Sequence, residues 1–202
     1  GKTVAFGLAM ADQLLADSGG VPYGIQPLAL VIAPTRELAL QVSRELTWLY
    51  GPAGAVVTTC VGGMDTRTER RALDRGAHVV VATPGRLCDH IKRSNIDLTD
   101  LRAVVLDEAD EMLDLGFRED LEFILSESPE ERRTLLFSAT VPAAIAKLAQ
   151  SYQRDAQRIT TVGETKQHSD IEYRALPVAT HAADHALINV LRSYAAPNAL
   201  VF

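Results

Sequence analysis

An α/β fold, a mostly parallel sheet covered by helices on both faces, is predicted by three observations. Short apolar runs rich in Val and Leu recur without alternating polar residues, as strands buried on both faces do. Amphipathic segments at helical spacing separate them. The order is strand then helix, repeatedly, which calls for parallel strands joined by crossover helices.

The elements follow in chain order. A first helix places Val4, Leu8, Ala11 and Leu15 on one face. Strands are expected at residues 28–33, 56–60, 78–82, 103–106 and 134–137. Leu38, Val42, Leu46 and Leu49 fall on one face of a second helix, with its Trp48 packed in or half in the core. Thr83-Pro84 reads as an N-cap followed by proline at the first helical position. Arg67, Arg70, Arg71 and Arg75, with Glu69 and Asp74 among them, read as a solvated helix face. Ile145, Leu148, Ala149 and Tyr152 mark a later helix face. The polar, aperiodic residues 163–169 read as a linker between 1–162 and 170–202. Beyond it a strand (171–178), a helix (181–194, with Leu187, Val190, Leu191 and Tyr194 on one face) and another strand start look like the opening of a second α/β unit.

The chain has 202 residues and a formal net charge of −6. Hydrophobic residues make up 47%, a globular share that excludes a disordered chain. No apolar run approaches the roughly 20 residues of a membrane span. Cys60 and Cys88 cannot form a disulfide framework, and their spacing does not suggest a metal site, so a reducing cytosol is expected. The five histidines show no metal or triad spacing. An acidic chain does not hold nucleic acid by bulk charge, so any nucleic-acid site must be local. The chain starts without Met and stops inside an apolar run at Ala199-Leu200-Val201-Phe202. Both ends are expected to be cut from a longer protein.

Two motifs carry chemistry. Gly1-Lys2-Thr3 opens a helix. In a P-loop the glycines let backbone N–H groups wrap phosphates, the Lys reaches the β- and γ-phosphates, and the Thr hydroxyl holds Mg²⁺. Alone, such a terminal tripeptide reads more readily as an ordinary one. Val104-Val105-Leu106 runs into Asp107-Glu108-Ala109-Asp110, an apolar strand ending in carboxylates. In an open α/β sheet, ligands sit beyond the carboxyl ends of strands. There Asp107 would hold Mg²⁺ through water and Glu108 would orient or deprotonate an attacking water. An acidic first helical turn is the plainer alternative.

Asp107-Glu108-Ala109-Asp110 is the signature of the DEAD-box RNA helicases, and the chain resembles that family along essentially its whole length. Pro34-Thr35-Arg36-Glu37-Leu38-Ala39-Leu40-Gln41 is similar to motif Ia, Gly62-Gly63 to the GG motif and Thr83-Pro84-Gly85-Arg86 to motif Ib. Ser138-Ala139-Thr140 is similar to motif III, and residues 198–202 to the start of motif IV. The resemblance implies a RecA-like P-loop NTPase domain, a three-layer αβα sandwich, followed by the start of a second one. It implies ATP and Mg²⁺ as ligands, single-stranded or short duplex RNA as partner, and local duplex opening coupled to ATP hydrolysis. It assigns Gly1, Lys2, Thr3, Asp107 and Asp110 to the nucleotide, with Thr3 and Asp107 toward Mg²⁺. Asp107 and Glu108 become the catalytic carboxylates, and Ser138 and Thr140 couple hydrolysis to strand separation. Pro34, Thr35, Arg36, Gly62, Gly63, Thr83, Pro84, Gly85 and Arg86 become the RNA-contacting set. Thr35 and Thr83 stand at loop-to-helix junctions whose N–H groups can meet phosphates, a grip that reads little sequence.

Several family parts lie outside the chain: the Q motif, most of the P-loop with its strand, and the later motifs. The sheet is therefore expected to have a gap, and the 202-residue piece to be inactive alone. A non-hydrolytic RNA clamp is the alternative, disfavoured by Glu108 and Ser138-Ala139-Thr140. A DNA-directed P-loop ATPase is a third reading. A cytoplasmic protein serving ribosome assembly or RNA decay fits the resemblance, with no membrane partner.

Overall fold

A computed structural model describes residues 1–22, 24–160, 172, 174–195 and 197–201. They divide into two units, Gly1–Gln157 and Arg158–Phe202.

The first unit is built on five strands: β1 (Ala29–Ile32), β2 (Val57–Cys60), β3 (Val79–Ala82), β4 (Ala103–Leu106) and β5 (Arg133–Leu136). Their order is β2-β3-β1-β4-β5, and every pair is parallel. Each lies within about a residue of its predicted position. The three central strands are buried throughout, as their unbroken Val/Leu runs require. The edge strands β2 and β5 are only half-buried over most of their length. The five strands pair contiguously, so the expected gap does not fall between any of them.

Alternate side chains send two cores to the two faces. Ala29, Val31, Val79, Val81, Ala103 and Val105 face α1 (Lys2–Leu14) and α2 (Arg36–Tyr50). Leu30, Ile32, Val80, Ala82, Val104 and Leu106 face the opposite layer. That layer holds α3 (Thr66–Asp74), α4 (Pro84–Lys92), α5 (Ala109–Asp114), α6 (Arg118–Ser126) and α7 (Ala143–Tyr152). The result is a three-layer αβα sandwich.

Two packing expectations are corrected. α1 buries Phe6, Gly7, Met10 and Leu14, whereas Leu8 of the expected face is 62% exposed. Phe6 decides the matter, because it packs edge-on against Phe137, ring centroids 5.5 Å apart. Trp48 is 72% exposed, since Val42, Leu46 and Tyr50 occupy the inward stripe of α2.

In the second unit, helix α8 (Ala183–Tyr194) matches the expected helix, but Leu187, Leu191 and Tyr194 are exposed among the described residues. The expected strand at 171–178 is not formed over its described residues, 172 and 174–178, and residues 198–201 form none either. A strand needs neighbours to satisfy its ladder, and the described residues of this unit offer none. Ile171, Tyr173, Phe202 and the expected linker 163–169 lie outside the described residues.

Candidate functional site

Because all five strands are parallel, their carboxyl ends share one edge. Cys60 leads to Gly62-Gly63, Ala82 to Thr83-Pro84, Ile32 to Pro34-Thr35, Leu106 to Asp107-Glu108, and Leu136 to Ser138. Strand order therefore sorts the predicted residues. The Gly62, Thr83 and Thr35 segments line one half of the edge, above β2, β3 and β1. The Asp107 and Ser138 segments line the other, above β4 and β5. The chain leaves β1 toward β3 and β2 but leaves β4 toward β5, so β1 and β4 flank a switch point, where α/β sheets bind ligands.

On the carboxylate half, Asp107 is 2% exposed and its N–H donates to the Ile32 carbonyl. Its Oδ1 is buried without a hydrogen-bond partner, and Lys2 Nζ is 3.8 Å away. Lys2 Nζ donates to Glu108 Oε1 at 3.0 Å. Burial pushes the Asp107 carboxyl above its ordinary pKa, and Lys2 only partly offsets this. Burial alone would lower the Lys2 pKa, but its hydrogen bond to Glu108 and the charges of Asp107, Glu108 and Asp110 raise it.

Glu108 sits at φ 54°, ψ 51°, the left-handed region, as N-cap of α5. A side chain there costs roughly 1–2 kcal/mol. That conformation helps turn the chain from β4 into α5 across only Asp107 and Glu108. Asp110, in the first turn, accepts from Thr140 N (2.9 Å) and Thr140 Oγ1 (2.8 Å). Ser138 Oγ donates to the Thr140 carbonyl. Burial would raise the Asp110 pKa, but bonds from Thr140 and Ser138 hold it below the usual range.

Gly1 is the N-cap of α1. Thr3 is buried beside Glu45, whose carboxyl is held below its usual range first by Gln41 and then by Thr3.

On the other half, Thr35 N-caps α2, its Oγ1 accepting from Leu38 N at 3.3 Å. Thr83 N-caps α4 with Pro84 at the first helical position, as expected. Pro34 and Pro84 are buried, Thr35 and Thr83 are half-buried, and Gly85 is exposed. Both arginines fold onto the glycine loop. Arg36 Nη2 reaches Met64 Sδ at 3.3 Å. Gly63 is at φ +75°, where a side chain is strained, and a Cβ there would stand 2.7 Å from Arg36 Nη1 and displace the guanidinium. Gly62 has open space around it, whereas a Cβ on Gly85 would come within 3.8 Å of Asp120 Oδ2, an ordinary contact. Arg86 Nη1 donates to Thr66 Oγ1 and Glu69 Oε2, both at 2.9 Å, and both of its terminal nitrogens reach the Met64 carbonyl.

Sequence reasoning missed Glu69. It was expected on a solvated face but is only 4% exposed. One signal could have found it: Glu69 lies four residues before Leu73, a core residue of the same helix. His90, fully buried, places Nε2 2.8 Å from Glu69 Oε2, with Asn95 Nδ2 3.2 Å from its other nitrogen.

A family model described as DEAD/DEAH box helicase matches residues 1–148. The chain belongs to that family. As a DEAD/DEAH box helicase it resembles the DEAD-box ATP-dependent RNA helicase CshA of Bacillus licheniformis, 41% identical over 100% of this chain and 40% of that protein. It also resembles DEAD-box ATP-dependent RNA helicase 9 of Oryza sativa, 41% identical over 96% of this chain and 31% of that protein. The chain thus spans well under half the length of these relatives. Among solved structures, a DEAD box protein from the hyperthermophile Methanococcus jannaschii superposes with a TM-score of 0.71 at 36% identity, over 95% of this chain and 50% of that one. The yeast DEAD-box splicing factor Prp28 gives 0.68 at 32% identity, over 76% and 37%. The sandwich is the RecA-like fold of this family.

Proposed function

We propose that the chain carries the nucleotide-binding core of an ATP-dependent RNA helicase, with residues 1–162 as its first RecA-like domain, 163–169 as linker and 170–202 as the start of a second. The observation that carries the reading is the divided edge: Lys2 in contact with Asp107 and Glu108, and Asp110 bonded to Thr140, on one side, helix N-termini and a glycine loop on the other.

Lys2 and the N-terminus of α1 would bind the nucleotide phosphates. The buried, unpartnered Oδ1 of Asp107 suits a carboxylate that holds Mg²⁺ through water. Magnesium, when bound, supplies charge neutralisation on the phosphate oxygens. Glu108 would orient the attacking water and accept its proton. Asp110 would carry any movement at β4 to the 138–140 loop through Thr140. Thr35, Thr83, Gly85 and the 62–63 turn would grip an RNA sugar–phosphate chain, giving affinity with little sequence preference. We assign the protein to the cytoplasm, in keeping with two buried free thiols, and to RNA–protein assemblies such as those of ribosome assembly or RNA decay.

The test is ATP turnover by the full-length protein with and without single-stranded RNA, beside a Glu108→Gln protein. RNA-stimulated turnover abolished by the substitution supports the helicase-type ATPase. ATP-dependent RNA binding without turnover would move the protein to the clamp class.

A further inference from the structure

The half of the edge assigned to RNA contains one buried carboxylate, and that is an unexpected place for one. A negative charge beside a phosphate track should weaken anion binding. Glu69 nonetheless sits there, 4% exposed, with each oxygen engaged. Oε1 accepts from Val61 N at 2.8 Å, in the backbone entering the glycine loop. Oε2 meets Arg86 Nη1 at 2.9 Å and His90 Nε2 at 2.8 Å, both on α4.

Cys60, Glu69 and His90 bring three potential ligand atoms within 4.8 Å of one another, so a metal site has to be weighed. The chemistry opposes it. The Arg86 guanidinium already holds the oxygen a cation would need. Burial, reinforced by Glu69, pushes the Cys60 thiol up to about 12, so Cys60 is a neutral thiol beside Glu69. Every polar atom of Glu69 is already explained by its protein partners.

We infer that Glu69 is a positioning residue for RNA binding: it clamps Arg86 and the Val61 end of the glycine loop into one rigid unit. Arg86 then acts as a strut rather than as a free phosphate-seeking cation. Its side chain is only 16% exposed, and Nη1 is divided among Glu69, Thr66 and the Met64 carbonyl. The inference rests on the RNA reading of this half of the edge and adds a residue that the motif resemblance does not include.

The glutamine variant separates this role from simple electrostatics. A carboxylate accepts on both sides, whereas an amide accepts with its oxygen and donates with its nitrogen. Glu69→Gln therefore breaks either the Val61 bond or the Arg86 bond, while removing a negative charge. Charge alone predicts tighter RNA binding; loss of the clamp predicts weaker binding.

The experiment measures binding of single-stranded oligouridylate to the full-length protein at fixed salt, with a non-hydrolysable ATP analogue present. Wild type, Glu69→Gln, Arg86→Gln and the double variant are compared. Each single substitution should weaken binding by about tenfold, the effect of one lost hydrogen bond to a charged group, and the double variant should be no weaker than the worse single. Amide exchange at Gly62 and Gly63 should quicken in Glu69→Gln even without RNA. Should that variant not fold, Arg86→Lys decides: it keeps the cation but loses the fork, and the clamp predicts the same tenfold loss. Unchanged or tighter binding by Glu69→Gln, additive losses, or an Arg86→Lys protein that binds like wild type would overturn the proposal alone. A wild-type protein that does not bind the RNA would overturn the RNA reading and this proposal with it.

Discussion

Lys2 Nζ lies 3.0 Å from Glu108 Oε1, although 106 positions separate the two residues. The contact joins the first turn of α1 to the end of β4, and Asp107 Oδ1 is 3.8 Å from the same nitrogen. With Lys2 about half exposed, such a pair contributes little stability. It is a contact that a phosphate can take over. Lys2→Ala should therefore change stability by less than about 1 kcal/mol while sharply weakening ATP binding. Thermal melts and a nucleotide titration check the two halves.

Asp107 should show the opposite trade. Burial raises its folded-state pKa above the unfolded value of about 3.9. The folded state then binds the proton more tightly. Its burial penalty is present at neutral pH and is relieved as pH falls through the raised folded value. Asp107→Asn removes the buried charge and should raise the melting temperature by roughly 3 °C, about 1 kcal/mol, while abolishing turnover. Mg²⁺ should stabilise the wild type and not the variant, as paired melts would reveal.

Asp110 has the reverse sign. Its pKa is depressed, so its bonds to Thr140 stabilise fully above the ordinary carboxylate value and are lost as pH falls through the lower folded one. Protection of the Thr140 amide should hold at neutral pH and vanish in acid, as hydrogen exchange would report. Thr140→Val keeps the amide bond, loses the hydroxyl bond and should cost about 1 kcal/mol.

The two aromatic residues Phe6 and Trp48 should differ widely. Phe6 is fully buried against Phe137, so Phe6→Ala should cost roughly 3–5 kcal/mol. Trp48 faces solvent, and Trp48→Ala should stay within about 0.5 kcal/mol. Denaturant unfolding measures both.

These contrasts mark where the sequence was readable. Strands β1, β3 and β4 are continuous apolar runs, and each lies within a residue of its predicted span because burial on both faces leaves only one reading. The face of α1 was ambiguous. Val4, Leu8, Ala11 and Leu15 make as apolar a stripe as Phe6, Met10 and Leu14, and only the contact with Phe137 selects between them. Asp107, Glu108, Ser138 and Thr140 were readable as motifs, but the Asp110–Thr140 link was not, because it joins the first turn of α5 to a loop 30 residues further on. Glu69 was hidden among arginines, and its partners Val61, Arg86 and His90 meet only once β2 and β3 pair.

The central claim is that the strand order β2-β3-β1-β4-β5 divides the edge between nucleotide and RNA. Backbone amide spectra of the protein, titrated separately with single-stranded RNA and with Mg²⁺-ATP, test it most directly. RNA alone should shift Thr35, Gly62, Gly63, Thr83 and Gly85 and leave Lys2, Glu108 and Asp110 in place, and Mg²⁺-ATP should do the reverse. Two ligands that move the same residues would contradict the division.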